Sequence, residues 1–273
     1  MKKENENKHT FFKIFAAFII LFTILLLYAR YINTKGLQVK EIPIYDANLP
    51  IEYNGFKIAH FSDIHFGRTT NEEDLKKVVK ELNELNADIV IFTGDLFDKK
   101  NITEKEVELF TKYFQEIKAK LFKFAIPGDY DLNNLNTYIN ILNASDFIYL
   151  ENSSKLIYQN SSSPLNIIGL KNTENINKLT NNTYFNIVLI HKPDLTPSIL
   201  NSHLIFAGHS LGGQIKIPFI GGLRKKEGAK TYIDEYYELD NSKLYISSGI
   251  GTEDFSFRFL NKPSITLYRL YNS

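Results

Sequence analysis

The sequence predicts an α/β domain of two sheets covered by helices, preceded by an apolar N-terminal segment. Three observations carry that prediction. Apolar strand-like runs alternate with amphipathic helical runs from GFKIAHFSD to LFKFAIPGD, shorter strand-like runs fill the second half, and the 16 residues from Ile14 to Ala29 carry no charge. The expected boundaries are 1–40 for a cytoplasmic tail, membrane anchor and linker, and 41–273 for the domain.

The N-terminal run FFKIFAAFIILFTILLLYAR closes at Arg30. Phe11, Phe12 and a snorkelling Lys13 extend it toward the ~20 residues that cross a bilayer. A cleaved signal peptide is the rival, but it would end in small residues, whereas YARYINTKG is bulky and basic. Lys2, Lys3, Lys8 and Lys13 before the run, against Arg30, Lys35 and Lys40 after it, place the N-terminus inside and the domain outside the cell membrane as a single-pass protein.

GFKIAHFSD is a short apolar run ending in polar residues, a strand. In NEEDLKKVVKELNELNAD, Leu75, Val78, Val79, Leu82 and Leu85 recur at helical spacing behind an acidic first turn. DIVIFTGD is a second strand, TEKEVELFTKYFQEIKAK a second helix with Thr103 as N-cap, and LFKFAIPGD a third strand. Such alternation implies a mostly parallel buried sheet with right-handed crossovers. A helix over LNNLNTYINILNAS follows, then strands in FIYLEN, SKLIYQ and LNIIGLK, the last two joined as a hairpin through NSSSP. FNIVLIHKPD, SHLIFAGHS, KLYISSGIG and PSITLYRLY complete the β structure.

With 273 residues, 44% of them apolar, the chain can bury a large core, which sets aside disorder of the whole chain. The 32 Lys and Arg against 31 Asp and Glu leave a formal charge of +1, so no basic footprint points to nucleic acid as a partner. Without cysteine there are no disulfides, thiolate nucleophiles or Cys-bound zinc; any metal must be held by His, Asp, Glu, Asn or backbone oxygen.

Five apolar runs deliver His or Asp just past their carboxyl ends: Asp63 and His65, Asp95 and Asp98, Asp129 and Asp131, His191, and His209. Ligands bind in the crevice outside such strand ends. Taken singly, Asp63, Asp95 or Asp129 reads as a helix cap or turn residue and His191 as a satisfied core histidine. Jointly they describe a metal site, because Gly94, Gly128 and Gly208 stand directly before three of these residues and would let the backbone turn each next side chain across the rim. His60 alternates to the other face and is not expected to be a ligand.

In this order the residues resemble the calcineurin-like metallophosphoesterases, whose motifs run D-x-H, G-D-x-x-D, G-N-H-[DE], a single His and G-H-x-H. Here they stand as Asp63-Ile64-His65, Gly94-Asp95-Leu96-Phe97-Asp98, Gly128-Asp129-Tyr130-Asp131, His191 and Gly208-His209-Ser210-Leu211. The likeness spans nearly the whole region past residue 41. GHSLGGQIKIP, LYISSGIG and RFLNKPSITLYRL are similar to its membrane-associated branch of YkuE-like and UDP-diacylglucosamine-pyrophosphatase-like members.

The resemblance implies a four-layer α/β/β/α sandwich holding two divalent ions, with Mn, Fe or Zn as the candidates. Asp63, His65 and the second His of the last motif would bind the first ion, Asp95 would bridge, and Asp129, His191 and His209 would bind the second. Paired ions about 3.5–4 Å apart lower the pKa of a bridging water and clamp the phosphoryl oxygens for in-line attack, without a protein nucleophile.

Three positions depart from the family pattern. Asp129 replaces Asn, a mild change, since a carboxylate ligates a divalent ion at least as well. Tyr130 replaces the His that assists leaving-group departure; a phenol with pKa near 10 gives up its proton poorly, so diphosphates and aryl esters should suffer least. Leu211 replaces the remaining first-ion ligand outright. Asp131 is expected to orient Tyr130 or a nearby ligand; Asp98 reads either as a residue in the same supporting role or as the cap of its turn.

Arg68 carries forked donors suited to a phosphate oxygen and is the expected substrate-binding residue. Arg224, Lys225, Lys226 and Lys230 form either a solvated loop or a face toward anionic lipid. The expected function is metal-dependent hydrolysis, by a metal-activated water, of a phosphomonoester, phosphodiester or diphosphate that is a small molecule or lipid-linked. The alternatives are a catalytically silent relative that binds a phosphorylated ligand, and a cytoplasmic-face pyrophosphatase of a nucleotide-activated lipid precursor.

Overall fold

The computed structural model describes residues 2–159, 162–172 and 176–273, with the side chains at 2–8 and 177 outside that description. Helix α1 (Lys2–Leu27) continues through a wider helical turn at Tyr28–Ile32. From His9 to Ile32 it is long and apolar enough to cross a membrane, and none of its most apolar stretch is buried by the rest of the protein. Of the lysines used above to orient it, the side chains at 2, 3 and 8 lie outside the described residues.

The first half opens on a strand that was not expected, β1 (Gln38–Tyr45), and then alternates as expected: β2 (Lys57–Phe61), α2 (Glu72–Glu84), β3 (Ile89–Phe92), α3 (Glu104–Glu116), β4 (Phe122–Ala125), α4 (Leu135–Ala144) and β5 (Phe147–Tyr149). Capping boxes open α2 and α3: Asn71 pairs reciprocally with Asp74, and Thr103 with Glu106, satisfying amides that the first turn leaves free. The second half supplies β6 (Ser153–Ile157), β7 (Leu165–Leu170), α5 (Ile176–Leu179), β8 (Phe185–Ile190), β9 (Leu204–Ala207), β10 (Lys216–Ile217), β11 (Gly221–Gly222), β12 (Tyr236–Glu238), β13 (Lys243–Ile246) and β14 (Ser264–Tyr271). β6 and β7 pair antiparallel as a hairpin, and residues 160 and 161 of its turn lie outside the described residues.

One sheet runs β1-β14-β2-β3-β4-β5, parallel except where β14 meets β2; the other runs β12-β13-β9-β8-β7-β6, parallel in its centre. Ile58, Ile91 and Phe124 of the first meet Ile187, Leu189 and Phe206 of the second in one buried core. His60 lies in that core, its Nε2 2.9 Å from Thr93 Oγ1 and its ring against Phe206, and is not a ligand. Leu75, Val79, Phe110, Phe114, Tyr138 and Leu142 of α2, α3 and α4 cover the other face of the first sheet. The fourth layer is thin: over Ile168, Val188 and Ile205 lie α5, a turn at Pro193–Ser198 and the aromatic pair Tyr232 and Tyr237. β1 begins at Gln38, so the boundary expected at residue 41 falls inside a strand.

Candidate metal centre

The carboxyl ends of β2, β3, β8 and β9 converge where the two sheets meet, and the chain turns sharply there. Asp63 (φ 53°), His65 (44°), Asp95 (58°), His209 (68°) and Leu211 (52°) all adopt left-handed backbone conformations. Such conformations are uncommon for residues other than glycine, store on the order of 1–3 kcal/mol each, and cluster at functional sites. The strain therefore sits on four of the candidate ligands and on Leu211. Of the preceding glycines only Gly94 has positive φ; Gly128 and Gly208 are needed for close approach, since a Cβ there would collide with Asp95 and with Ser62 and Asp63 respectively. That corrects the expectation that all three serve to turn the chain.

Two groups of buried ligand atoms share Asp95: Asp63, His65 and Asp95, and Asp95, His191 and His209, with each set of atoms within 4.8 Å of one another. In the second group His191 Nδ1 lies 2.7 Å from the Thr93 carbonyl and His209 Nε2 2.7 Å from the Glu227 carbonyl. A carbonyl only accepts, so those nitrogens carry the protons. Their partners, His191 Nε2 and His209 Nδ1, then face each other as lone pairs 3.1 Å apart, with Asp95 Oδ2 3.1 Å from His191. Two facing lone pairs beside a carboxylate call for a cation between them. Burial works against a proton on His191, yet Asp95 and Asp63 raise its pKa to about 10. His209 moves the other way, to about 2, through burial and the neighbouring His191 and Lys226.

In the first group, His65 Nε2 is fully buried without a hydrogen-bond partner, 3.8 Å from Asp63 Oδ1 and 3.7 Å from Asp95 Oδ2. Asp95 Oδ2 also lacks a hydrogen bond. Orphaned buried polar atoms are rare in folded proteins unless something else satisfies them, and both fit a divalent ion. Asp98 does not cap a turn: its Oδ1 stands 3.5 Å from His65 Nδ1 and its Oδ2 accepts from Arg68 Nε at 2.8 Å. Arg68 donates its Nη1 to the Asp254 carbonyl at 2.8 Å.

Asp131 is buried and accepts the backbone N–H groups of Asp95 (2.7 Å), Gly128 (2.9 Å) and Leu96 (3.0 Å), tying two strand ends together. Burial and the nearby Asp95 push its carboxyl up to about 7. It positions Asp95 and shares no hydrogen bond with the Tyr130 side chain. Tyr130 donates its backbone N–H to Asp95 Oδ1 at 2.8 Å, and its ring meets His65 edge-on with centroids 5.2 Å apart. Its hydroxyl lies 3.2 Å from Glu253 Oε1; burial and Glu253 raise its pKa further above the ordinary phenol value. Asp129 is half exposed, with Oδ1 2.9 Å from Lys192 Nζ and Oδ2 3.9 Å from His209 Nδ1, at the rim of the second group.

Glu253 had no place in the expected site. It is buried, with Oε2 4.0 Å from His65 Nε2, and is paired with Lys226 (2.6 Å) and Arg224 (2.8 Å). The basic segment is therefore not simply a solvated loop. The missed signal was a sixth strand end: KLYISSGIGTED leaves β13 through two glycines and reaches an acid. Leu211 is fully buried beside Gly249 and Asp63.

Residues 56–235 match the model of the calcineurin-like phosphoesterase family, and the chain belongs to that family. It is 29% identical over 254 residues to the uncharacterised metallophosphoesterase YkuE of Bacillus subtilis, covering 89% of this chain and 88% of that one. It is 24% identical over 309 residues to the UDP-2,3-diacylglucosamine pyrophosphatase LpxG of Chlamydia trachomatis, covering 89% and 92%. A transmembrane protein with a metallophosphoesterase domain from Danio rerio is 27% identical over 113 residues, or 41% and 25%.

Proposed function

We propose that the protein is a membrane-anchored, two-metal phosphoesterase that hydrolyses a phosphoester or diphosphate presented at a lipid surface. The observation that carries the reading is the pair of buried ligand groups joined through Asp95. When bound, two divalent ions of the Mn, Fe or Zn class supply an acidified water and neutralise phosphoryl charge. Asp63, His65 and Asp95 would hold one; Asp95, His191, His209 and, at the rim, Asp129 would hold the other. Asp98 fixes the His65 ring, and the Thr93 and Glu227 carbonyls fix the other two imidazoles. Arg68, Lys192 and Lys226 stand around the groups, paired with Asp98, Asp129 and Glu253, and a phosphate would compete with those carboxylates for them.

Tyr130 keeps its proton, so chemistry there favours a leaving group that needs little protonation. A diphosphate meets that condition, and the likeness to LpxG supports it. A lipid-side substrate is supported by the β10–β11 hairpin, whose tip exposes Phe219 and Ile220. Its base is joined to Phe259 by the Lys216 N–H at 2.8 Å, and Arg258 N–H donates to Ala29 at the end of the apolar helix at 3.0 Å. Apolar tip and helix end thus meet on one strip of chain.

The test uses the full-length chain in detergent: bound metal is measured, and aryl phosphate mono- and diesters are assayed with Mn²⁺. Two ions per chain and turnover lost in Asp95→Asn are expected. Fewer than two ions, with turnover no greater than in Asp95→Asn and His209→Ala, would leave a silent binding relative.

A further inference from the structure

We propose that Glu253 is a ligand of the first metal ion, standing in for the side chain that Leu211 does not provide; this rests on the two-ion reading above. Around the unpartnered Nε2 of His65 stand three carboxylate oxygens, from Asp95 at 3.7 Å, Asp63 at 3.8 Å and Glu253 at 4.0 Å. Two metal–ligand bonds of about 2.1 Å span at most about 4.2 Å, so each of these oxygens stands within reach of an ion held by His65 Nε2. Asp63, His65 and Asp95 converge within 4.8 Å of one another, and Glu253 borders that group through His65. A ring nitrogen carrying a proton would draw one carboxylate to hydrogen-bonding distance. Held off from Nε2 at similar distances, the Asp63 and Asp95 oxygens outline the seat of a cation, and Glu253 stands at its edge.

The chain is built to bring Glu253 there. Gly251 lets its loop lie against Asp63 and His65, since a Cβ at 251 would collide with the Ile64 carbonyl, and the Gly251 N–H bonds to the Asp63 carbonyl at 2.7 Å. The backbone N–H of Glu253 is held at 3.0 Å by Gln214 Oε1, from the loop that carries Leu211. Leu211 itself fills the space beside Asp63 with methyl groups. Lys226 and Arg224 offset the charge of the crowded carboxylates, and the Tyr130 hydroxyl, 3.2 Å from Glu253 Oε1, fixes the carboxylate plane. The ligand lost from one loop is supplied by its neighbour.

The competing role, in which Glu253 only seats Arg224 and Lys226 against a phosphate, makes a different prediction. Full-length protein is stripped, reloaded with Mn²⁺, and its metal count and affinities are measured by elemental analysis and calorimetry, with circular dichroism as the check on folding. Glu253→Gln should keep the ion of the His191 and His209 group and weaken the other at least about tenfold, and adding Leu211→His to that variant should restore it. Glu253→Gln binding both ions with wild-type affinity, with only KM raised, overturns the proposal while the two-ion reading stands. A wild-type chain that takes up one ion or none overturns both. Should Glu253→Gln not fold, Leu211→His alone decides: a shell already completed by Glu253 gains less than about threefold in affinity, and a gain of about tenfold or more overturns the assignment.

Discussion

His191 Nε2 and His209 Nδ1 confront each other across 3.1 Å, and each ring's other nitrogen is bonded to a backbone carbonyl. With His191 raised to about 10, the metal-free protein holds a proton in this gap at neutral pH. That proton stabilises the metal-free fold fully below the ordinary histidine value, and its contribution fades as the pH rises toward 10. Metal binding has the opposite sign, because the ion must displace the proton. Calorimetry in buffers of different ionisation enthalpy should show release of about one proton for the ion at this group, with weaker affinity at pH 6 than at pH 8.

Asp131 accepts from four backbone amides, those of Asp95, Leu96, Phe97 and Gly128, and an amide side chain cannot replace it. Asp131→Asn turns an N–H₂ group toward at least one of those N–H donors. Unfolding in urea should show a loss of about 1–3 kcal/mol, and metal affinity should fall because Asp95 is no longer aligned. Unchanged stability would show that these hydrogen bonds carry no net weight.

Tyr130→His restores a group that titrates near neutrality beside the site. Turnover of alkyl phosphates should rise by about tenfold or more, while aryl phosphates, whose leaving groups need no proton, change little. Equal effects on both would place Tyr130 away from the leaving group.

Arg258 is fully buried and donates to the carbonyls of Ser248, Gly249, Gly251 and Asn261, knitting the loop after β13 into one piece. Arg258→Met keeps bulk but strands those acceptors. The variant should lose at least about 2 kcal/mol in denaturant unfolding and bind metal less tightly, since the same loop lies on Asp63.

The exposed hairpin tip gives a prediction about the lipid surface. Phe219→Asp with Ile220→Asp should lower turnover of a vesicle-embedded diphosphate lipid much more than turnover of a soluble aryl phosphate. Equal losses would place the hairpin away from the membrane.

Local order was legible in the sequence wherever short range decides it. The Thr103 cap, the helical spacing of Leu75 to Leu82 behind an acidic first turn and the apolar β3 and β8 runs all appear where they were expected. The D-x-H and G-D motifs lead straight to the convergent candidate ligands for the same reason. Long-range pairing was less legible. β1 joins β14 from the opposite end of the chain, so QVKEIPIY has no local signature of its partner. Glu253 reaches His65 only because Gly251 permits a tertiary approach, and the partners of Asp98 and Arg68 depend on how loops cross the rim.

β1 has a further consequence for how the protein works at a bilayer. The apolar helix passes into the sheet through a segment held at almost every step: Ala29 bonds to Arg258, Lys35 to Thr69 and Asp74, and Gln38 to Pro263. A loose tether would let the domain swing freely about the end of the apolar helix. This one holds the domain at a fixed distance from that helix, so at the lipid surface proposed above the reach of the site would be set by geometry and its encounters with substrate would be two-dimensional. Shortening the chain to residue 41 would free the head and halve a strand in the same cut, whereas inserting a flexible spacer before Gln38 should blur selection by depth while leaving the metal centre intact.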